Sequence, residues 1–96
     1  MPFHIERSLS VEKLMQELAQ KDVKRFRKIQ KTLGLLAQDP KHPGLNSHKM
    51  VSQKGLNGED IWESYVENNV PSAWRVFWYY GPAQGVITVV AITPHP

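Results

Sequence analysis

Ninety-six residues, 41% hydrophobic and without cysteine, can bury one thin core; they exclude a disulfide framework, thiolate chemistry and wholesale disorder. The net charge of +3 is mild, but residues 1–43 hold nine Lys or Arg against five Asp or Glu while the remainder holds three against four, so the positive charge belongs to the first half. The first seven residues carry charges where a secretion signal needs an apolar run, and the longest apolar stretch, 86–92, is too short to span a bilayer. The expectation is one cytoplasmic domain over residues 1–96, with no membrane association.

Phe3 and Ile5 alternate with polar neighbours and predict a short first strand. Ser10 is the expected N-cap of a first helix reaching about Gln20, with Leu14, Met15, Leu18 and Ala19 at helical spacing. Lys13 stands where a capping box needs Glu, so the box is incomplete. Asp22 can cap a second helix, whose Val23, Phe26, Ile29, Leu33 and Leu36 recur at intervals of three and four and form one stripe. Lys21, Lys24, Arg25, Lys28 and Lys31 fall on the opposite face. The helix should stop near Asp39, because Pro40 disfavours a helical residue before it.

A Pro-broken loop at 40–44 leads to a weak strand candidate at 45–51 and a turn at 53–58. A strand at 61–67 and a turn at 68–72 follow. Two apolar strands then close the chain, one at 73–80 and one from Val86 onward, joined by the Gly-bounded loop 81–85. The order is β-α-α-β-β-β-β, an α+β fold whose C-terminal strands form an antiparallel meander with the helix pair on one face.

Strand alternation divides the side chains between two faces. With Trp62, Trp74, Val76 and Trp78 toward the helices, Glu63, Tyr65, Arg75, Phe77 and Tyr79 share the other face. Arg75 inside an apolar strand is costly unless it is paired or lies at an open site. An acid, a cation and aromatic rings on one surface suit single-stranded nucleic acid; the same pattern also fits a Glu63–Arg75 cross-strand pair that only decorates a sheet. Lys24, Lys28 and Lys31 could track phosphates or simply solvate a helix face. His42 and His48 lack a metal-ligand spacing, while His48 and Lys49 on a strand edge suit polar or phosphate contacts. His95 lies between two prolines at the end of the sequence. No Gly-rich phosphate loop, serine elbow or paired Asp cluster is present, so neither a nucleotide cofactor nor a metal is expected.

The element order, the loop Asp39-Pro40-Lys41-His42-Pro43-Gly44-Leu45, the step Trp74-Arg75-Val76 and the closing Ala91-Ile92-Thr93-Pro94-His95-Pro96 resemble the RelE/ParE superfamily of toxins from bacterial type II toxin–antitoxin modules. The resemblance spans nearly the whole chain and implies a cognate antitoxin protein as partner. It also implies one of two activities: metal-free cleavage of mRNA on the ribosome, as in RelE-like members, or non-enzymatic inhibition of DNA gyrase, as in ParE-like members. A small nucleic-acid-binding protein without toxicity is a third reading. Well-studied RelE members carry two lysines on the strand matching residues 61–67, where this chain has Glu63 and Tyr65; other RelE-like members use a Glu, an Arg and a near-terminal His. The resemblance thus implies Glu63 as base, Arg75 as the cation that stabilises the phosphorane, His95 as acid, and Tyr65 as a stacking or proton-transfer group. Lys49 and Lys54 would hold phosphates, His48 would be the reserve acid–base group, and Lys24, Lys28 and Lys31 would contribute to RNA binding.

Overall fold

The computed structural model describes residues 2–68 and 70–95. Met1, Asn69 of the predicted 68–72 turn and Pro96 of the closing motif lie outside the described residues. The elements run β1 (His4–Arg7), α1 (Leu9–Lys21), α2 (Val23–Gln38), a 3-10 turn (Pro43–Leu45), β2 (His48–Lys54), β3 (Asp60–Tyr65), β4 (Trp74–Tyr80) and β5 (Val86–Pro94). This is the expected α+β order. β2 to β5 form the antiparallel meander, and β1 closes the sheet by pairing in parallel with β5, giving the order β1-β5-β4-β3-β2.

The helices cover one face. Val11 and Met15 of α1 and Ile29, Leu33 and Leu36 of α2 are buried against Val76, Trp78, Ile87, Val89 and Ile92 of the sheet. Full burial of each such side chain is worth about 1.5–3 kcal/mol. The apolar stripe of α2 holds from Phe26 onward, whereas Val23 at its start is 43% exposed. Along β5 the inward residues are Ile87 and Val89 but then Ile92. A bulge explains the change of parity: Trp78 faces Val89 while Phe77 faces Ala91, so Val90 is an extra residue.

Several boundaries differ from expectation, among them the end of β3, which stops at Tyr65 rather than at residue 67. Ser8, not Ser10, caps α1, its Oγ accepting from the Val11 N–H at 3.3 Å. The reason is tertiary: the Ser8 N–H donates to Val89 O at 3.0 Å and its hydroxyl to Val90 O at 3.2 Å, so β5 fixes where the helix begins. β2 begins at His48 rather than Leu45, because Leu45 is buried within the 3-10 turn and serves the core there. Gln53 and Lys54 consequently belong to β2 and not to the turn. The Asp22 cap is as expected, with its carboxylate accepting from the Arg25 N–H at 3.2 Å, and α2 ends at Gln38 with Asp39 as its C-cap. Gly81 and Gly85, which bound the β4–β5 loop, both take positive φ, at 120° and 79°, a conformation that glycine adopts without strain. Among the described residues no helix is long and apolar enough to cross a membrane.

Candidate active site

The sheet face away from the helices is built by alternation and register. Glu63 and Tyr65 of β3 stand opposite Phe77 and Arg75 of β4, and Arg75 stands opposite Thr93 of β5. Residues directly opposite share a face, so Glu63, Tyr65, Arg75, Phe77 and Thr93 lie together, as alternation predicts. Across the other edge of β3, His48 of β2 is the partner of Glu63, and it joins the same group.

His48, Glu63 and Arg75 form a chain. His48 Nε2 is 2.7 Å from Glu63 Oε1, and Arg75 Nη1 is 3.5 Å from Glu63 Oε2. Both carboxylate oxygens are thus engaged. The Glu63 and Arg75 side chains are nearly enclosed, at 10% and 13% exposure, whereas His48 is half exposed at 49%. The guanidinium carbon of Arg75 sits 3.8 Å from the centroid of the Tyr65 ring, a cation–π contact, and His48 meets Tyr65 edge-on at 6.0 Å. His48 Nδ1 is 3.2 Å from Asn46 O. Both ring nitrogens of His48 therefore face acceptors, and each is satisfied only when that nitrogen carries a proton.

Arg75 Nε is enclosed and has no hydrogen-bond partner among the described residues. A donor left this way costs about 1–3 kcal/mol, a cost borne by a side chain that is otherwise held by Glu63 and the Tyr65 ring. Beside it a groove of about 810 Å³ runs between Phe77, Tyr79 and Thr93 on the sheet and Lys54, Leu56 and Glu59 on the β2–β3 hairpin.

The other expected residues are placed less centrally. His95 is exposed, and its N–H donates to Ala73 O at 2.8 Å, extending the β4–β5 ladder one residue past Pro94. Alternation from Thr93 puts His95 on the Arg75 face, about 7–8 Å away at the Cα level as a diagonal neighbour. Lys54 lines the groove and is bonded to Asp60. Lys49 belongs to the helix face: its partner is Trp62, its Nζ lies 5.7 Å from that ring and 3.5 Å from Asp60. The Lys54 bond first, then the charge of Lys49, hold the Asp60 carboxyl below its usual value. Lys24, Lys28 and Lys31 are on α2, behind the sheet from Arg75; Lys28 is bonded to Glu67 at 3.1 Å. Among the described residues no three His, Asp or Glu side chains are grouped to hold a metal.

No family model matches the sequence, and no curated protein matches it. Solved structures do match. A chain of the archaeal RelE–RelB complex from Pyrococcus horikoshii superposes with TM-score 0.68 at 17% identity over 98% of this chain and 96% of that one. A YoeB/ParE toxin from Agrobacterium tumefaciens gives 0.70 at 13% identity over 97% and 99%. A metal-bound toxin from Helicobacter pylori gives 0.68 at 20% identity over 97% and 94%. Coverage is nearly complete in both directions, and the element order and sheet match the expectation drawn from the sequence. The chain shares the fold of these solved RelE and YoeB/ParE structures.

Proposed function

We propose that this chain is the toxin of a type II toxin–antitoxin module and acts as a ribosome-dependent mRNA endonuclease. One observation carries the reading: an imidazole, a carboxylate and a guanidinium are chained at 2.7 and 3.5 Å on the sheet's open face, next to an enclosed donor that lacks an acceptor. The scissile phosphate meets the edge of the guanidinium that stays open, since the Arg75 side chain as a whole is 13% exposed. Arg75 holds its non-bridging oxygens and stabilises the charge that grows as the ribose 2′-oxygen attacks phosphorus. The attack forms the 2′-O–P bond and breaks the P–O5′ bond, leaving a cyclic phosphate and a 5′-hydroxyl. His48, the half-exposed member, exchanges protons with the RNA. Glu63, with both oxygens occupied, orients Arg75 and holds His48 through the ring's Nε2–H, so a neutral His48 ring keeps Nδ1 unprotonated and takes the base role there. His95, flanking Arg75 from the β5 side, serves the other proton transfer. Tyr65 backs the guanidinium. The partner is an antitoxin with an acidic segment, which the exposed Lys24 and Lys31 complement. A cytoplasmic site of action follows from the ribosome as target.

The test is tightly controlled expression followed by mapping of mRNA 5′ ends within minutes. Translation-dependent cuts inside reading frames are expected. His48→Gln keeps an N–H for Glu63 but cannot transfer protons, and should lower cleavage about 10²–10⁴-fold with the fold unchanged. Arg75→Lys should not restore activity, since an ammonium lacks the planar fork. Intact mRNA with gyrase-dependent DNA breaks would overturn the endonuclease reading in favour of gyrase inhibition.

A further inference from the structure

The helix-side face of the sheet carries a second assembly that the active-site reading does not use. Trp62 stacks on the fully buried Trp78 at 5.7 Å between ring centroids, with planes 17° apart. Tyr80 stands edge-on to both, at 6.0 Å from Trp62 and 4.9 Å from Trp78. Together with Lys41 and His42 of the loop after α2 these rings line a pocket of about 280 Å³. That is room for one nucleobase. Tyr80 is 41% exposed and Trp62 is partly exposed, so the aromatic wall is open to solvent although it continues the core.

Cations and N–H donors border this wall. The Lys49 ammonium lies over the Trp62 ring at 5.7 Å. His42 Nδ1 accepts from the Gly44 N–H at 2.9 Å, which leaves the proton on Nε2 and turns the other edge of the ring into a donor. Lys41 is exposed. No carboxylate lines the pocket. Asp60, bonded to Lys54, also lies 3.5 Å from Lys49 and shares that ammonium with the wall. Aromatic rings bordered by Lys41, Lys49 and the His42 N–H suit a flat ligand that carries a phosphate; the nearby carboxylates, Asp39 and Asp60, stand outside the pocket lining.

We propose that this wall is a base-stacking subsite for single-stranded RNA, and that the strand reaches it by passing over the β2 edge of the sheet. β2 is an edge strand with six of its seven residues exposed. His48 and Lys49 are neighbours in sequence, and they face opposite sides: His48 pairs with Glu63 of the active-site face, Lys49 with Trp62 of the helix face. One residue step of the chain therefore links the two sites, and a nucleotide flanking the cleavage point is carried from one to the other. The inference rests on the RNA reading above and adds a second contact to it.

The test uses the intact protein and a fluorescein-labelled oligouridylate about eight nucleotides long, followed by anisotropy and by intrinsic tryptophan emission. Binding should quench tryptophan, and Trp62→Phe should remove most of the quench. The Lys41→Ala/Lys49→Ala double variant, whose side chains are exposed, should weaken binding about tenfold and lower the salt slope by about 1.4. Inorganic tripolyphosphate, an anion without a base, should displace the oligomer poorly. Absence of binding, an unchanged affinity in the double variant, or equal displacement by tripolyphosphate would each overturn the subsite. Those results separate from the 5′-end mapping: cuts in cells without Lys49-dependent binding sink the subsite alone, and Lys49-dependent binding without cuts sinks the endonuclease reading alone.

Discussion

Ser64 is one residue away from Glu63 and decides where His48 sits. Its hydroxyl is fully buried, accepts from the Trp78 indole N–H at 2.8 Å, and lies 2.6 Å from the Ser47 hydroxyl, which donates to Pro40 O at 2.9 Å. The ends of this chain fix its direction, since an indole N–H only donates and a carbonyl only accepts. The proton order is therefore Trp78 to Ser64 to Ser47 to Pro40. It ties the core tryptophan to the loop that delivers His48. Ser64→Ala leaves the Trp78 N–H buried without a partner, at a cost of about 1–3 kcal/mol. The expected melting temperature falls about 4–8 °C per kcal/mol for a domain of this size. Ser47→Ala in the same background should add little, because the chain is already broken; full additivity in a double-mutant cycle would refute the connected chain. None of this was readable from spacing, because Ser47 and Ser64 meet only through the pairing of β2 with β3. Glu63, Tyr65 and Arg75 were readable, because two-residue alternation on strong strands needs no tertiary knowledge. His48 joined them through register, which the irregular pairing between Lys49 and Lys54 hid.

Asp22 does two jobs at the corner between the helices. Its N–H donates to Leu18 O and ends α1, while its carboxylate caps α2 and also holds the Arg25 guanidinium at 3.0 Å. Asp22→Ala should destabilise the fold by about 0.5–2 kcal/mol, within the range of N-cap losses. Asp22→Asn should recover most of that, because an amide oxygen still caps; a circular-dichroism melt of the pair discriminates capping from the ion pair, and equal losses would assign the effect to the charge. This cap was legible because it rests on local sequence alone. The cap of α1 was not, since β5 selects Ser8 over Ser10 by backbone bonds from the far end of the chain. The parallel pairing of β1 with β5 and the bulge at Val90 escaped for the same reason: each depends on a partner more than eighty residues distant or on the opposing strand's register. Local rules reach the elements; they do not reach contacts of that separation.

At the scale of the molecule, acid should unfold this protein through its ion pairs. Glu67, at 12% side-chain exposure, links α2 to the β3–β4 connection through Lys28 at 3.1 Å, Arg25 at 4.0 Å and the Trp74 N–H at 3.4 Å. Desolvation pushes its carboxyl up, but the bond from Lys28, the Trp74 N–H and the two positive charges together outweigh it and leave the group below its ordinary 4.5. A depressed folded-state value means that the unfolded chain binds the proton first as pH falls. The stabilisation is complete above about pH 4.5 and is lost as pH drops from there through the lower folded-state value. Asp60 is also lowered and acts in the same direction, but its partners are exposed, so salt screens it. Urea midpoints measured at pH 7 and pH 3 should therefore differ for the native sequence, and high salt should reduce the difference, since Lys28 is nearly as exposed as the partners of Asp60. Glu67→Gln should lower the pH 7 midpoint by the equivalent of about 1 kcal/mol, since Lys28 is half exposed, and should shrink the drop between the two pH values. A midpoint that does not move between pH 7 and pH 3, or a Glu67→Gln variant with the full native drop, would show that this contact does not govern the acid limit of the fold.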